Sequence, residues 1–221
     1  MSMSVVVTGA NRGIGLSFCK YFRSCGQNVI GVCRKSSADL EKVADKIICD
    51  VDIANHSACE ILFKKLSQTR IDILINNAGI LLNEQLGNID FNSIEKQVNA
   101  NAIGSLRVTE GLINNLCKNS KVALITSRMG SIADNSSGGR YGYRMSKAAL
   151  NAAGKSLAID LKPKKIFLGI YHPGFVKTEM TAGNGNVEPD EAAQRIALLI
   201  DKLDHTNSGK FWHSNGEILP W

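Results

Sequence analysis

Tyr143 and Lys147 stand four residues apart in Tyr143-Arg144-Met145-Ser146-Lys147, and the run behind them, Ala148-Ala149-Leu150-Asn151-Ala152-Ala153, favours helix. On a helix that interval puts both side chains on one face, a turn apart. An ammonium beside a phenol stabilises the phenolate, so the tyrosine is expected to titrate below its ordinary value of about 10. Such a tyrosine serves as a general acid or base. Chance also puts this pair on helices, so its meaning rests on the elements that hold it.

Val5-Val6-Val7 reads as a strand and runs straight into Thr8-Gly9-Ala10-Asn11-Arg12-Gly13-Ile14-Gly15, with a helix over residues 16–25. Glycines let backbone approach a pyrophosphate, and the first helical N–H groups have no intrahelical partner, so this junction is a phosphate cradle. Its Gly-x-x-x-Gly-x-Gly spacing differs from the Gly-x-Gly-x-x-Gly of the common dinucleotide fingerprint. Further strands are expected at 28–33, 46–49, 71–75, 122–125, 165–171 and 209–213. Helices are expected at 40–44, 56–66, 91–117, from Tyr143 to about Lys162-Pro163, and from Glu188-Pro189 onward. This alternation predicts an α/β protein: a single-domain Rossmann-type doubly wound parallel sheet with helices on both faces, spanning residues 1–221. The strand runs are continuously apolar, which suits burial on both faces.

Composition narrows the function. Lys and Arg total 26 and Asp and Glu 20, a net charge of +6 with no long basic block. That argues against a nucleic-acid partner and suits an anionic small molecule. The six cysteines all precede residue 120, and none forms Cys-x-x-Cys, so no metal site is expected and a reducing compartment is. Val5-Val6-Val7 is too short for a signal peptide, and no apolar run approaches the ~20 residues of a membrane span. A soluble cytoplasmic protein is expected.

In doubly wound sheets ligands bind at the carboxyl ends of the strands, where strand order reverses. Thr8-Gly9, Arg34, Asp50, Asn76-Asn77, Ser127 and Pro173-Gly174 all fall at such ends. With Thr-Gly-x-x-x-Gly-x-Gly at 8–15, Asp50-Val51, Asn-Asn-Ala-Gly at 76–79, Asn101 with Gly104, Ser127, Tyr-x-x-x-Lys at 143–147, and Pro173-Gly174 with Thr178, the chain resembles the short-chain dehydrogenase/reductase family. The likeness covers essentially its whole length. Ser127-Arg128-Met129-Gly130-Ser131 and the ending Gly216-Glu217-Ile218-Leu219-Pro220-Trp221 are similar to the C-factor-like and sniffer-like carbonyl reductases of that family.

The resemblance implies roles. Tyr143 would donate a proton to a carbonyl oxygen in reduction and accept one in the reverse reaction. Lys147 would lower the Tyr143 pKa and hold the nicotinamide ribose, Ser127 would hydrogen-bond the carbonyl oxygen, and Asn101 would position a water behind Lys147. Ser131 rivals Ser127, and Asn99 rivals Asn101; strand position and the register of Gly104 favour Ser127 and Asn101. The cofactor would lie on Gly9, Asn11, Arg12, Gly13, Ile14 and Gly15, on Arg34, Asp50 and Val51, and on Asn77, Ala78 and Gly79. Tyr143, Lys147, Pro173, Gly174, Val176 and Thr178 would complete its site. NAD-preferring relatives end the second strand in an acid; here Cys33 holds that place and Arg34-Lys35-Ser36 follow, so the cofactor is expected to be NADP(H). The substrate would be a small carbonyl or alcohol. The segment 178–187, rich in Gly and Asn, is expected to form a mobile flap over it. Family relatives often dimerise through the Tyr143 helix, whose Ala148, Ala149, Ala152, Ala153 and Gly154 allow close approach, although the same small residues also suit packing on the sheet; the resemblance thus implies a homodimer or homotetramer. Two other readings compete: an extended epimerase or dehydratase, for which the ~40 residues after Gly174 are too few, and a dinucleotide-binding signalling protein of the C-factor type, with or without catalysis.

Overall fold

The computed structural model describes residues 2–221, and Met1 lies outside the described residues. Seven strands form one sheet in the order β3-β2-β1-β4-β5-β6-β7, and every neighbouring pair is parallel. They are β1 (Ser4–Thr8), β2 (Asn28–Val32), β3 (Lys46–Ile48), β4 (Ile71–Asn76), β5 (Leu116–Ile125), β6 (Phe167–His172) and β7 (Phe211–His213). The helices are α1 (Gly13–Ser24), α2 (Ala38–Val43), α3 (His56–Leu66), α4 (Phe91–Val98), α5 (Gly104–Gly111), α6 (Tyr141–Leu161) and α7 (Pro189–Asp201). This is the α/β doubly wound arrangement expected from the sequence.

Side chains alternate across each strand and so divide between two cores. Val6, Leu74, Val122, Leu124, Leu168 and Ile170 pack with α3, α5 and α6 on one face. Val5, Val7, Ile73, Ile75, Ala123 and Ile125 pack with α1, α2 and α7 on the other. Both faces are covered, which is why the strands read as unbroken apolar runs. The order reverses between β1 and β4, so the glycine turn after β1 and Asn76-Asn77 at the end of β4 flank the crevice that opens there.

Two expectations needed correction. The helix expected over 91–117 ends at Gly111 and is three pieces: α4, a π-helical turn over Asn99–Ile103, and α5; a 3-10 turn at Ile113–Asn115 follows before β5. The extra residue of the π turn carries Asn101 to Ile80, whose backbone it bonds twice, and tertiary pairing of that kind is invisible in an apolar periodicity. Strand β5 also begins at Leu116 rather than near Val122, because Ser120 donates to the Ile71 carbonyl and Asn119 turns the chain at φ +72°.

On α6, a Cβ at Gly154 would lie 2.8 Å from both Ile170 and Leu124, so this glycine lets the helix settle onto the sheet. Ala152 is exposed on the same helix. All six cysteines are free thiols. Among the described residues no helix is long and apolar enough to cross a membrane, and no cluster of metal-ligating side chains forms.

Candidate active site

The glycine turn is fixed by steric need. Gly9 has φ +65°, and a Cβ there would meet the Ala78 Cα at 2.9 Å. Gly15 closes the turn from below: its Cβ would sit 2.1 Å from the Gly9 carbonyl oxygen, so it acts by close packing and does not line the cleft. Asn77 ties the two strand ends together, donating from Nδ2 to the Thr8 and Gly9 carbonyls at 3.1 and 3.3 Å. The Thr8 hydroxyl in turn accepts from the N–H groups of Asn77 and Ala78 at 3.0 and 3.1 Å.

A cleft of about 500 Å³ opens over this turn and the α1 N-terminus. Its wall includes Gly9, Asn11, Arg12, Gly13 and Ile14 from the turn, Arg34 and Val51 from beyond β2 and β3, Asn77, Ala78 and Gly79 after β4, and Thr178. A glycine cradle with no room for a Cβ, a free helix N-terminus and three cations on the rim (Arg12, Arg34, Lys35) fit a phosphorylated dinucleotide. Asp50 is exposed, with φ +63°, and stands outside the wall; Val51 and Asp52 supply that stretch instead. The left-handed turn at Asp50 is what redirects the chain there, and sequence alone gave no sign of it. Glu179 is a second wall residue the sequence reading passed over. It forms an ion pair with Arg12 across the cleft, both partners being exposed. Pro173, Gly174 and Val176 lie outside the wall: Gly174 turns at φ +96°, Ser214 holds the Pro173 carbonyl at 3.0 Å, and Val176 is buried. The segment 178–187 is closed on itself by the Val176–Val187 bridge and a short 3-10 turn at Glu179–Thr181.

The inner end of the cleft abuts a buried polar group. A Cβ on Gly79 would lie 3.0 Å from Asn101 Oδ1 and 3.7 Å from Lys147 Nζ. Tyr143 and Lys147 both lie on α6, buried, with the ammonium 5.7 Å from the phenol ring centre. Lys147 Nζ donates to the Ile125 carbonyl at 3.0 Å, and Asn101 Nδ2 donates to Ser146 Oγ at 2.9 Å. Ser127 follows β5, and its hydroxyl accepts from the Met129 N–H at 3.2 Å. Ser131 caps a different turn, accepting from the Asp134 N–H, and Asn99 donates to Ala54 on the far side of the helix.

The electrostatics differ from the sequence expectation. Burial pushes the Tyr143 phenol above its ordinary value, while the Ser127 hydroxyl and then the Arg140 charge pull it part of the way back. Burial also pulls Lys147 down to about 8. Desolvation is the largest cause for both groups in the protein alone, and Tyr143 is a neutral phenol at pH 7. His172, just before Pro173-Gly174, is held near 3 chiefly by burial and stacks edge-on with His213 at 5.0 Å.

A family model described as short chain dehydrogenase matches residues 3–188. The chain belongs to that family. Within it, the chain is 34% identical over 224 residues to 1-hydroxy-2-glutathionyl-2-methyl-3-butene dehydrogenase of Rhodococcus sp., covering 99% of each protein. It is 40% identical over 154 residues to the C-signal protein of Myxococcus xanthus, which covers 68% of this chain and 93% of that one. Among solved structures it superposes on the carbonyl reductase Sniffer of D. melanogaster with a TM-score of 0.92 and 27% identity over the full length of both chains. It superposes on a carbonyl reductase of Pseudomonas aeruginosa in complex with NADP with a TM-score of 0.87 and 29% identity, covering 100% of both. The matches to the C-signal protein and to Sniffer bear out the likeness to the C-factor and sniffer types seen in the sequence, and the family uses NAD(P)(H).

Proposed function

We propose that the protein is an NADP(H)-dependent carbonyl reductase of the cytoplasm acting on small aldehydes or ketones, with Tyr143 as proton donor. The observation that carries this reading is the meeting of three things: a neutral buried phenol, the Ser127 hydroxyl that acts on it, and a cleft of about 500 Å³ whose wall residue Gly79 lies against Asn101 and Lys147. Arg12, Arg34 and Lys35 around the adenosine end of that cleft, and the NADP named with the Pseudomonas aeruginosa structure, support NADP(H) over NAD(H).

When bound, the nicotinamide supplies the hydride; the chain supplies the rest. The glycine turn and the α1 N-terminus hold the pyrophosphate, and Arg34 with Lys35 holds the adenosine 2′-phosphate. Ser127 donates to the carbonyl oxygen where negative charge develops, and Tyr143 donates the proton that turns that oxygen into a hydroxyl. A raised pKa suits this direction, since the phenol stays protonated at neutral pH. Lys147, near 8, is mostly protonated at pH 7 and lies a turn away to restore the proton, with Asn101 beyond it toward Ser146. The decisive experiment follows the near-ultraviolet absorbance of NADPH against a panel of aldehydes and ketones. Carbonyl-dependent loss that is weaker with NADH supports the reading; cofactor binding with no turnover of any carbonyl sinks it. That second outcome favours a signalling role like the one the C-signal relative's name describes.

A further inference from the structure

Between Ser127 and Lys147 the chain carries four cations (Arg128, Arg140, Arg144 and Lys147) and a single acid, Asp134. Three of the four are committed. Arg128 pairs with Asp134 at 2.7 Å. Arg144 ties down its own loop through the Ser137 hydroxyl and the Gly138 and Met129 carbonyls. Lys147 is bound to Ile125. Glu84, the other acid close by, is buried with both oxygens engaged by Ser93, Gln97 and the Gly142 N–H.

Arg140 is different. It is exposed and forms no ion pair among the described residues; its guanidinium touches the Met129 sulfur at 3.8 Å. A left-handed backbone (φ +51°) turns it out immediately before α6, three residues ahead of Tyr143. Met129, which it touches, is the residue whose N–H holds the Ser127 hydroxyl. Arg140 and Met129 also share the wall of a second cavity, of about 390 Å³, with Asn83, Glu84, Gln85 and residues 137–139; Glu84 is the one acid in that wall, and both its oxygens are already engaged. An uncommitted guanidinium thus lines a cavity whose Met129 holds the Ser127 hydroxyl, and its charge reaches Tyr143 three residues on. A guanidinium fork binds a planar carboxylate with two parallel charge-assisted bonds.

We infer that this second cavity takes the anionic end of the substrate on Arg140, so that preferred substrates are aldehydes or ketones bearing a carboxylate. The inference rests on the carbonyl-reductase reading above and adds the substrate class to it.

The test uses para-carboxybenzaldehyde and its methyl ester, which share an aldehyde and differ in charge, with NADPH and the whole protein. The wild type should show kcat/KM roughly 10- to 100-fold higher for the carboxylate, and rising ionic strength should erode that ratio. Arg140→Gln should bring the ratio toward unity through KM, Arg140→Lys should restore part of it, and Arg140→Glu should invert it. A wild-type ratio at or below unity overturns the inference and leaves carbonyl reduction standing, whether or not any variant folds. A carboxylate preference that persists in Arg140→Gln and Arg140→Glu also overturns it. Turnover of neither aldehyde overturns it together with the parent reading.

Discussion

The two ends of the active crevice solve different physical problems. Around the glycine turn the cleft is open, built from backbone and rimmed by exposed cations, one of which, Arg12, is already paired with Glu179. Around α6 the polar groups are buried: Tyr143, Lys147 and Asn101 lie under 10% exposed and are held by packing and by hydrogen bonds to Ile125, Ile80 and Ser146. On the function proposed above the open end would recognise charge, where water screens each contact. On the same proposal the buried end would handle a proton; there desolvation moves both Tyr143 and Lys147 toward their neutral forms. Substitutions should therefore be severe at the buried end and graded at the open one.

The largest effect is expected at Tyr143. Tyr143→Phe should leave NADPH binding in place and lower carbonyl turnover by about a hundredfold or more, the lower end for losing a general acid. Turnover at the wild-type level would remove Tyr143 from the chemistry and dissolve the contrast between the two ends.

Lys147 tests burial itself. Its folded value, about 8, lies below the ordinary 10.5, so between the two the unfolded chain keeps a proton that the folded one has released. Stability should rise with pH across that window, and below about 8 the full penalty of the buried charge is present. Lys147→Met should then be more stable than the wild type at pH 7, by roughly 1–3 kcal/mol, with the gap closing toward pH 10.5. Urea unfolding at several pH values measures it. A gap that does not vary with pH would show that the ammonium is solvated and that the buried end is not dry. The same variant should lose turnover.

At the open end, Arg34→Ala should raise the NADPH dissociation constant roughly 10- to 150-fold, toward the lower figure for an exposed guanidinium, and leave that for NADH nearly unchanged. Fluorescence titration of both cofactors at fixed ionic strength decides it; equal weakening would remove Arg34 from the 2′-phosphate. The smallest effect belongs to Glu179→Gln. Freeing Arg12 from an exposed ion pair should tighten NADPH by no more than about 5-fold, again sparing NADH. Weaker NADPH binding in that variant would mean that Glu179 supports the cleft and does not compete for Arg12.

The sequence by itself determined the architecture and the order of its parts. Continuous apolar runs alternating with amphipathic ones dictate a parallel sheet covered on both faces, and α3 emerged with the bounds its periodicity predicts, His56–Leu66. Glycines needed for close approach, at positions 9 and 15, and the Tyr143–Lys147 interval were legible because steric and helical constraints act over a few residues. What only the tertiary structure decided depends on residues distant in the chain. Asn101 reaches Ile80 because a π turn adds a residue that no local preference demands. Asp50 leaves the cleft, and Asp52 enters its wall, because the backbone reverses at a single left-handed residue. Glu84, unremarkable in the sequence, becomes the buried carboxylate that fastens the start of the Tyr143 helix to α4. The direction of the Tyr143 shift was also beyond the sequence: neighbouring charge can be read from spacing, whereas desolvation is set by everything that packs around the group.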